Sequence, residues 1–290
     1  MPRYLAAALA ALVALACVNV ATAGAGIQAI DAKLTPTRLS KKKFKPAKIK
    51  ITIETQNNDQ AGDSDPKFSN QPPAATRTIV DFPKNMKFKT NAAPHCKVDS
   101  AALAGTTTEQ AIEACGKKSI VSVGEKPPSG ATFWQPKKTG AVQRIGSDTG
   151  WTDYSFVVTA FNGKQKDTLY LHARGTLLPI TAVLVGKLKE KMSGRLSNGP
   201  SLDVTVPVLA AGGIKTFKTT VKHGKFVQAR CKSRRMKFRA RSTYASGPDT
   251  DHTPTRATDR STCRRKRAHK RRHGHHRGHR SDHRGQRSHR

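Results

Sequence analysis

Residues 151–185 read WTDYSFVVTAFNGKQKDTLYLHARGTLLPITAVLV, and this stretch decides the fold class. Residues 154–160 and 169–173 place apolar side chains at every second position, the spacing of strands with a buried face. Asn162-Gly163 begins a polar turn that ends near Asp167, so the two segments form a predicted hairpin. A third apolar run, Leu177–Val185, supplies a partner strand. We predict that this stretch is the centre of an all-β domain.

Six further segments show the same alternation, and turns rich in Gly, Ser or Pro separate them. They are Ile49–Ile53, Thr76–Phe82, Ser201–Val208, Ile214–Val221, Lys225–Cys231 and Met236–Tyr244. Evenly spaced short strands of this kind are typical of a sandwich or a closed sheet. We therefore predict an antiparallel β-sandwich-like domain over residues 49–244, built as one unit or as two β layers or subdomains.

One short helix is predicted between Cys96 and Cys115. Thr106 and Glu109 form the T-x-x-E pattern of a capping box, and Gly116 stands where a glycine ends a helix. The residues predicted to share its buried face are Ala111, Ile112 and Cys115.

Residues 1–23 have the pattern of a secretory signal peptide. Arg3 precedes an apolar run, and Ala21-Thr22-Ala23 is a small-x-small cleavage site. An uncleaved anchor is one alternative, but the apolar run is short of the ~20 residues that a membrane span needs. Lipidation at Cys17 is another, although the residues before Cys17 match a lipobox poorly. We expect an exported protein.

The segments that flank the predicted domain are polar or basic. Residues 24–48 contain a run of three lysines and are predicted to be a solvated basic arm. Residues 245–263 have two prolines and no apolar pattern, which indicates a polar loop closed by Cys263. Residues 264–290 contain no large apolar residue, so we predict a disordered Arg/His-rich tail.

Four cysteines follow the leader, and an even number in an exported chain indicates disulfides. Of the three pairings, Cys96–Cys115 with Cys231–Cys263 closes the shortest loops and is our prediction. Each bridge would stabilise the fold by about 3 kcal/mol in the chain-entropy model. A zinc site is disfavoured because the spacings are wide and lack C-x-x-C. The second bridge would fasten the root of the tail to the domain.

Several short motifs follow one another in a recognisable order: IVDFPKN at 79–85, TTTEQAIEACG at 106–116, FNG at 161–163 and ARC at 229–231. Together with the leader and the Lys-rich arm, this order resembles a group of secreted actinobacterial proteins without an established activity. The resemblance covers roughly residues 34–263. It implies an exported β-rich domain with two disulfides, and it does not extend to the tail.

The formal net charge of +34 is the strongest compositional signal. The 27 residues after Cys263 contribute +11, and residues 24–263 contribute +22. A charge of this size predicts salt-sensitive attraction to polyanions. The predicted anion-binding residues of the tail are Arg264, Arg265, Lys266, Arg267, Lys270, Arg271, Arg272, Arg277 and Arg280.

The tail histidines suggest a second, weaker chemistry. Imidazoles suit Ni, Cu or Zn, but the neighbouring arginines oppose the approach of a divalent cation. The candidate metal ligands are His273, His275, His276 and His279. Protonation of these histidines near pH 6 would instead strengthen binding to anions.

Motifs of catalysis are missing from the sequence: there is no G-x-S-x-G, no H-E-x-x-H and no Walker loop. His172 alternates with Tyr170 and Arg174, and we expect it on an exposed strand face. We predict neither enzymatic activity nor a cofactor.

The sequence thus predicts a secreted, non-enzymatic protein of the cell envelope whose basic tail binds wall polymers, lipid headgroups or extracellular nucleic acid. Peripheral contact with a membrane surface belongs to this hypothesis. The alternative is a structural or adhesive module that binds through its β surface, with the tail acting only as a solubiliser.

Overall fold

The structure, a computed structural model, describes residues 27–56, 74–122, 138–147, 150–177, 179–190, 199–206, 213–221, 224–244 and 254–265. The strands within these ranges are β1 (Ile27–Thr35), β2 (Arg38–Leu39), β3 (Lys45–Pro46), β4 (Lys48–Gln56), β5 (Ala75–Asp81), β6 (Met86–Phe88), β7 (Gly140–Ser147), β8 (Gly150–Asn162), β9 (Thr168–Gly175), β10 (Thr181–Lys189), β11 (Ser201–Thr205), β12 (Ile214–Val221), β13 (Val227–Ala229), β14 (Arg235–Tyr244), β15 (Thr255–Thr262) and β16 (Arg264–Arg265). The α-helix α1 spans Thr108–Cys115, and short 3₁₀ helices lie at Thr90–Ala92, Ser100–Leu103 and Lys117–Ser119.

The main sheet has eleven strands in the order β1-β4-β12-β7-β8-β9-β10-β11-β5-β14-β15, and every neighbouring pair is antiparallel. Two small sheets, β3-β13-β6 and the parallel pair β16-β2, form a second β layer. The predicted antiparallel all-β domain, with its one short helix between Cys96 and Cys115, is confirmed.

The predicted hairpin forms the middle of the main sheet. β8 and β9 pair from Phe156 opposite Gly175 to Asn162 opposite Leu169, and β10 pairs with β9 on the other side. The turn begins with Gly163. This position requires a glycine because a Cβ here would collide with the Thr168 side chain. The chain therefore reverses at the residues that the turn pattern indicates.

The two edge strands of the main sheet, β1 and β15, lie side by side. The Ala32 N–H donates to Asp259 Oδ2 at 2.8 Å, and the Leu34 N–H donates to Ser261 Oγ at 3.3 Å. Side-chain acceptors thus satisfy edge groups that would otherwise remain open for pairing with another chain. The main sheet is nearly closed on itself and encloses the core.

Two expectations about the flanking segments are wrong. Part of the expected solvated arm forms β1, whose Ile30, Ala32 and Leu34 are buried in the core. Part of the expected polar loop forms β15, which pairs with β14 along its whole length. The buried side of β15 carries small residues such as Ala257 and Ser261, so it lacks the large apolar side chains that mark a strand.

The main sheet has two different ends. At the Cys263 end, the small sheets cover the interior, and Phe82, Phe88, Phe226 and Phe238 pack edge to face with centroids 4.8–6.3 Å apart. At the Gln28 end, the strand termini at Ile27, Gln56, Ala75 and Tyr244 lead to segments outside the described residues.

Both predicted disulfides are present, Cys96–Cys115 and Cys231–Cys263, with Cα–Cα distances of 4.1 and 5.7 Å. The first belongs to a small second core, in which the segment around α1 covers the outer face of β8 and β9. Phe161 and Tyr170 are buried in this core, so the central hairpin is buried on both faces.

Two local predictions near α1 are corrected. The capping box lies one residue later than expected: the Gln110 N–H donates to Thr107 Oγ1, and the Thr107 N–H donates to Gln110 Oε1. His172, expected on an exposed face, is 0% exposed because the segment before α1 covers it, and its Nε2 lies 3.1 Å from Thr106 Oγ1. Within the described ranges, none of the helices has the length and apolarity needed to cross a membrane.

Candidate anion-binding surface

The second β layer at the Cys263 end has an unusual charge composition. It is built from residues 36–47, 83–89, 225–235 and 263–265, which we call the basic apex. These four segments contain five, three, five and two lysines and arginines, and no aspartate or glutamate. A surface of fifteen cations without an acidic residue of its own attracts polyanions.

Backbone hydrogen bonds bring the four segments together. The Cys231 N–H donates to the Ser40 carbonyl at 2.8 Å, and the Arg230 N–H donates to the Asn85 carbonyl at 2.9 Å. The Arg264 N–H donates to the Thr37 carbonyl at 2.6 Å, next to the Cys231–Cys263 disulfide. Segments that are up to about two hundred residues apart in sequence therefore form one rigid surface.

Most of the cations of the apex are exposed to solvent. Because the apolar side chains of this layer point into the core, alternate positions point outward and carry the charge. The exposed cations are Arg38, Lys41, Lys42, Lys43, Lys45, Lys84, Lys89, Lys225, Lys232, Arg234, Arg235 and Arg264.

Two half-buried cations of the apex pack on one aromatic ring. Lys87 Nζ lies 4.6 Å from the centroid of the Phe44 ring, and Arg230 Cζ lies 4.4 Å from it. Cation–π contacts of this kind contribute about 0.5–1 kcal/mol each at exposed sites. Phe44 thus holds two like charges near each other, which offsets part of their repulsion.

A groove of about 350 Å³ lies beside the apex. Lys84, Lys87, Lys89 and Lys189 line it together with Asp167 and Glu190. Lys189 is paired with Asp203, so three ammonium groups remain against two carboxylates, and this excess favours an anionic group over a cation.

The outer face of β14 and β15 extends the basic surface along the main sheet. Lys237, Arg256 and Arg260 alternate on this face and form no ion pair with any described residue. Arg239 and Arg241, by contrast, pair with the buried Asp81. The face therefore presents cations without a described acidic partner next to neutralised ones.

A second neutralised cluster lies on β5, β10 and β11. Arg77 donates two hydrogen bonds to Asp203, at 2.8 and 2.6 Å, and Lys189 Nζ donates a third at 2.9 Å. The hydrogen bonds from Arg77, assisted by Lys189, lower the pKa of Asp203 to about 2. The charges of these residues neutralise one another within the sheet, so they are not available to an external ligand.

The structure describes only the root of the predicted tail site. Arg264 and Arg265 form β16 beside β2, so these two residues belong to the folded apex rather than to a disordered tail. The remaining anion-binding candidates, Lys266 to Arg280, and the metal candidates His273, His275, His276 and His279 lie outside the described residues. Among the described residues there is no group of three or more His, Cys, Asp or Glu that could hold a metal ion.

The basic apex could not be predicted from the sequence because its cations are dispersed along the chain. Only the run Lys41–Lys43 stands out locally, whereas Lys84, Arg230 and Arg264 join it through tertiary contacts. The charge of +22 on residues 24–263 was the available signal, and it carries no information about position.

Comparison with protein-family models, curated proteins and solved structures finds no match to this chain. The resemblance to secreted actinobacterial proteins therefore stays a prediction.

Proposed function

We propose that this chain is a secreted, non-enzymatic protein that binds anionic polymers of the cell envelope or nucleic acid. The observation that carries the proposal is the basic apex, with fifteen cations and no acidic residue in its four segments. The tail leaves the domain from this same surface, because Cys263 and β16 fix its root beside β2. The cations of the tail therefore follow those of the apex directly in the chain, and both contribute to the proposed binding.

The distribution of the charges favours a polymer over a small anion. The cations extend from the groove at Lys84 past the Lys41–Lys43 loop to Arg256 and Arg260 on β15. A chain of phosphates or carboxylates can contact many of them at once and release its condensed counterions. A single small anion would meet only a few flexible lysines, each strongly hydrated.

The proposed location rests on the leader pattern and on the disulfides. Two disulfides in one domain are typical of proteins that mature outside the reducing cytosol. The wall polymers, anionic lipid headgroups and released DNA of that environment share the anionic chemistry that the apex recognises.

A triple substitution, K41Q/K42Q/K43Q, tests the apex within the full chain. Binding to a 30-base-pair DNA duplex and to poly(glycerol phosphate) should weaken, and the slope of log affinity against log salt should fall by about 2–3. The matched control is K117Q/K118Q/K166Q, which removes the same charge from exposed lysines outside the apex segments.

Equal affinities for both triple variants would show that the apex is not the binding surface. A chain ending at Arg265 measures the share of the tail separately. If this shortened chain binds as the full chain does, the apex alone carries the interaction.

An adhesive role is the second candidate, and one observation favours it. Leu177 and Ile180, in the turn between β9 and β10, are 50% and 42% exposed, more than the other large apolar side chains of the described chain. Retention on cell walls that withstands 1 M salt but is lost in Leu177→Ser would favour this role over binding of polyanions.

A further inference from the structure

The interior of the main sheet contains a cavity towards the Gln28 end. Its volume is about 100 Å³. The residues that line it come from nine strands and are largely apolar, among them Ile53, Leu171, Leu184, Val204, Phe217 and Thr219. None of the described residues that line it is charged. The volume is about two thirds of the ~150 Å³ of an engineered apolar cavity that admits benzene, so it suits only a small organic group.

The number of strands explains why the cavity exists. Eight strands close around an interior that side chains can just fill, and the interior widens as strands are added. At the Cys263 end, large side chains such as Phe82, Phe238 and Met236 fill the eleven-stranded sheet. At the Gln28 end, the inner positions carry mostly Ile, Val, Leu and Thr, which are too short to meet across it.

The side chains that line the cavity do not fill it. Leu184, Leu202, Ile214 and Phe217 belong to the core by their contacts, yet they are only partly buried. The interior of the nearly closed sheet therefore contains an unfilled apolar pocket, and apolar pockets with a few polar groups are the form of most binding sites for small molecules.

Polar groups form a network on the wall of the cavity at the Gln28 end. Gln28 Nε2 donates to Ser242 Oγ at 2.6 Å, and the hydroxyls of Thr78 and Ser242 lie 3.0 Å apart. The Thr255 hydroxyl donates to Gln28 Oε1 at 3.4 Å. Gln28, Thr78 and Ser242 all line the cavity, so a ligand would meet amide and hydroxyl groups at this end.

We propose that the main sheet binds a small neutral molecule that has an apolar body and one hydroxyl or carbonyl group. The body occupies the apolar pocket, and the polar group exchanges hydrogen bonds with Gln28 and Ser242. An ionised carboxylate is disfavoured because the described residues that line the cavity include no cation to compensate its desolvation. This site is separate from the basic apex, and the inference does not depend on the polyanion proposal.

Isothermal titration of the full-length protein with straight-chain alcohols from 1-butanol to 1-octanol tests the proposal. Affinity should rise about fourfold per methylene until the pocket is filled and then level off. Hexanoate at pH 7 should bind at least about tenfold more weakly than 1-hexanol. The absence of saturable binding of 1-hexanol, or equal binding of both compounds, would overturn the proposal.

A pair of threonine substitutions locates the binding site. Thr219 on β12 lines the cavity, whereas Thr52 on the neighbouring β4 lies on the outer face, opposite Lys218. Thr219→Phe should fill the pocket and abolish binding of 1-hexanol, and Thr52→Phe should leave it unchanged. Thermal melts of both variants confirm that they are folded, and retained binding in a folded Thr219→Phe variant contradicts the site.

Gln28→Ala tests whether the polar network recognises the hydroxyl group of the ligand. This variant does not block the pocket. Loss of the amide should lower the affinity for 1-hexanol by about tenfold. The affinity for benzene should not change, because benzene makes no hydrogen bond with Gln28. An equal loss for both compounds would show that Gln28 only supports the fold, and the proposed recognition of the polar group would be wrong.

Discussion

The two ends of the main sheet share one pattern of alternating apolar residues, but they differ in how completely the side chains fill the interior. At the Cys263 end, Phe82, Phe238 and Met236 are at most 2% exposed, and a second β layer covers them. At the Gln28 end, Leu184 and Phe217 point inward yet keep part of their surface accessible. The alternation of apolar residues is the same at both ends, and the size of the inward-facing side chains distinguishes them.

This difference separates two properties of the molecule. The filled end holds the basic apex, where a rigid core and a disulfide keep many like charges together despite their repulsion. The Gln28 end contains an unfilled cavity, which lowers stability but creates a pocket. We expect the filled end to contribute most of the stability and the charge, and the Gln28 end to contribute the pocket.

The largest expected effect compares truncations of core residues at the two ends. Phe238→Ala should lower the free energy of unfolding by about 3–5 kcal/mol, because Phe238 is fully buried and packs edge to face on the Phe82 ring. Leu184→Ala beside the cavity should cost only about 1–2 kcal/mol, since part of this side chain is already accessible. Urea unfolding measures both values, and equal losses would contradict the difference in packing.

The next effect concerns the two disulfides. Replacing Cys231 and Cys263 by Ser should destabilise the fold by about 3–4 kcal/mol in the chain-entropy model. Replacing Cys96 and Cys115 should cost about 3 kcal/mol, because this loop is shorter, 19 residues against 32.

The affinity for DNA should distinguish the two disulfide variants more clearly than the free energy of unfolding does. Only the loss of Cys231–Cys263 should weaken binding to DNA, because this bridge fixes the apex and the tail root. A similar loss of DNA affinity in the Cys96–Cys115 variant would indicate a general effect on the fold.

Salt should distinguish the two proposed binding sites. Raising NaCl from 50 to 200 mM should weaken DNA binding about a hundredfold if four phosphates are contacted. The affinity for 1-hexanol should change by less than about twofold, because neither the ligand nor the lining of the cavity is charged. Salt-independent DNA binding would contradict the electrostatic proposal, and the alcohol titration serves as its internal control.

The smallest expected effect is a pH dependence of the stability. It originates at His172, which lies between the two ends of the main sheet. Burial lowers the pKa of His172 on β9, so the native state keeps the imidazole neutral. The unfolded chain binds this proton more readily, and stability should therefore fall as the pH drops below about 6.5. Thermal unfolding of wild type and His172→Gln between pH 7 and 5 should show a steeper decline for wild type.

Parallel curves for the two proteins would exclude His172 as the source of this dependence. A loss of stability that begins only below about pH 4 is instead the one expected of Asp203. Its pKa of about 2 makes its contribution to the free energy of unfolding disappear as the pH falls from about 4 to 2.

Sequence patterns predicted the parts of the fold that depend on neighbours in the chain. The hairpin of β8 and β9, the strand containing Ile49 to Ile53 and the helix between two cysteines all follow from local spacing. Local patterns failed where the partner lies far along the chain. β15 has few large apolar residues, and it becomes a strand because β14 pairs with it and β1 closes the sheet beside it.

The candidate sites show the same limit. The tail was visible as a run of cations, whereas the apex brings together Lys41, Lys84, Arg230 and Arg264 from four distant segments. The cavity left no local signal at all, because its existence depends on the number of strands in the closed sheet and on side chains from nine of them.

The sequence alone determined that this chain forms antiparallel strands with a short helix, that its cysteines pair in order and that its net charge is strongly positive. These properties depend on spacing, composition and loop length, all of which are local or additive. Only the tertiary structure decided which cations share a surface, that His172 is buried and that a cavity remains towards the Gln28 end. Those properties depend on which distant segments meet, and closure of the sheet fixes them.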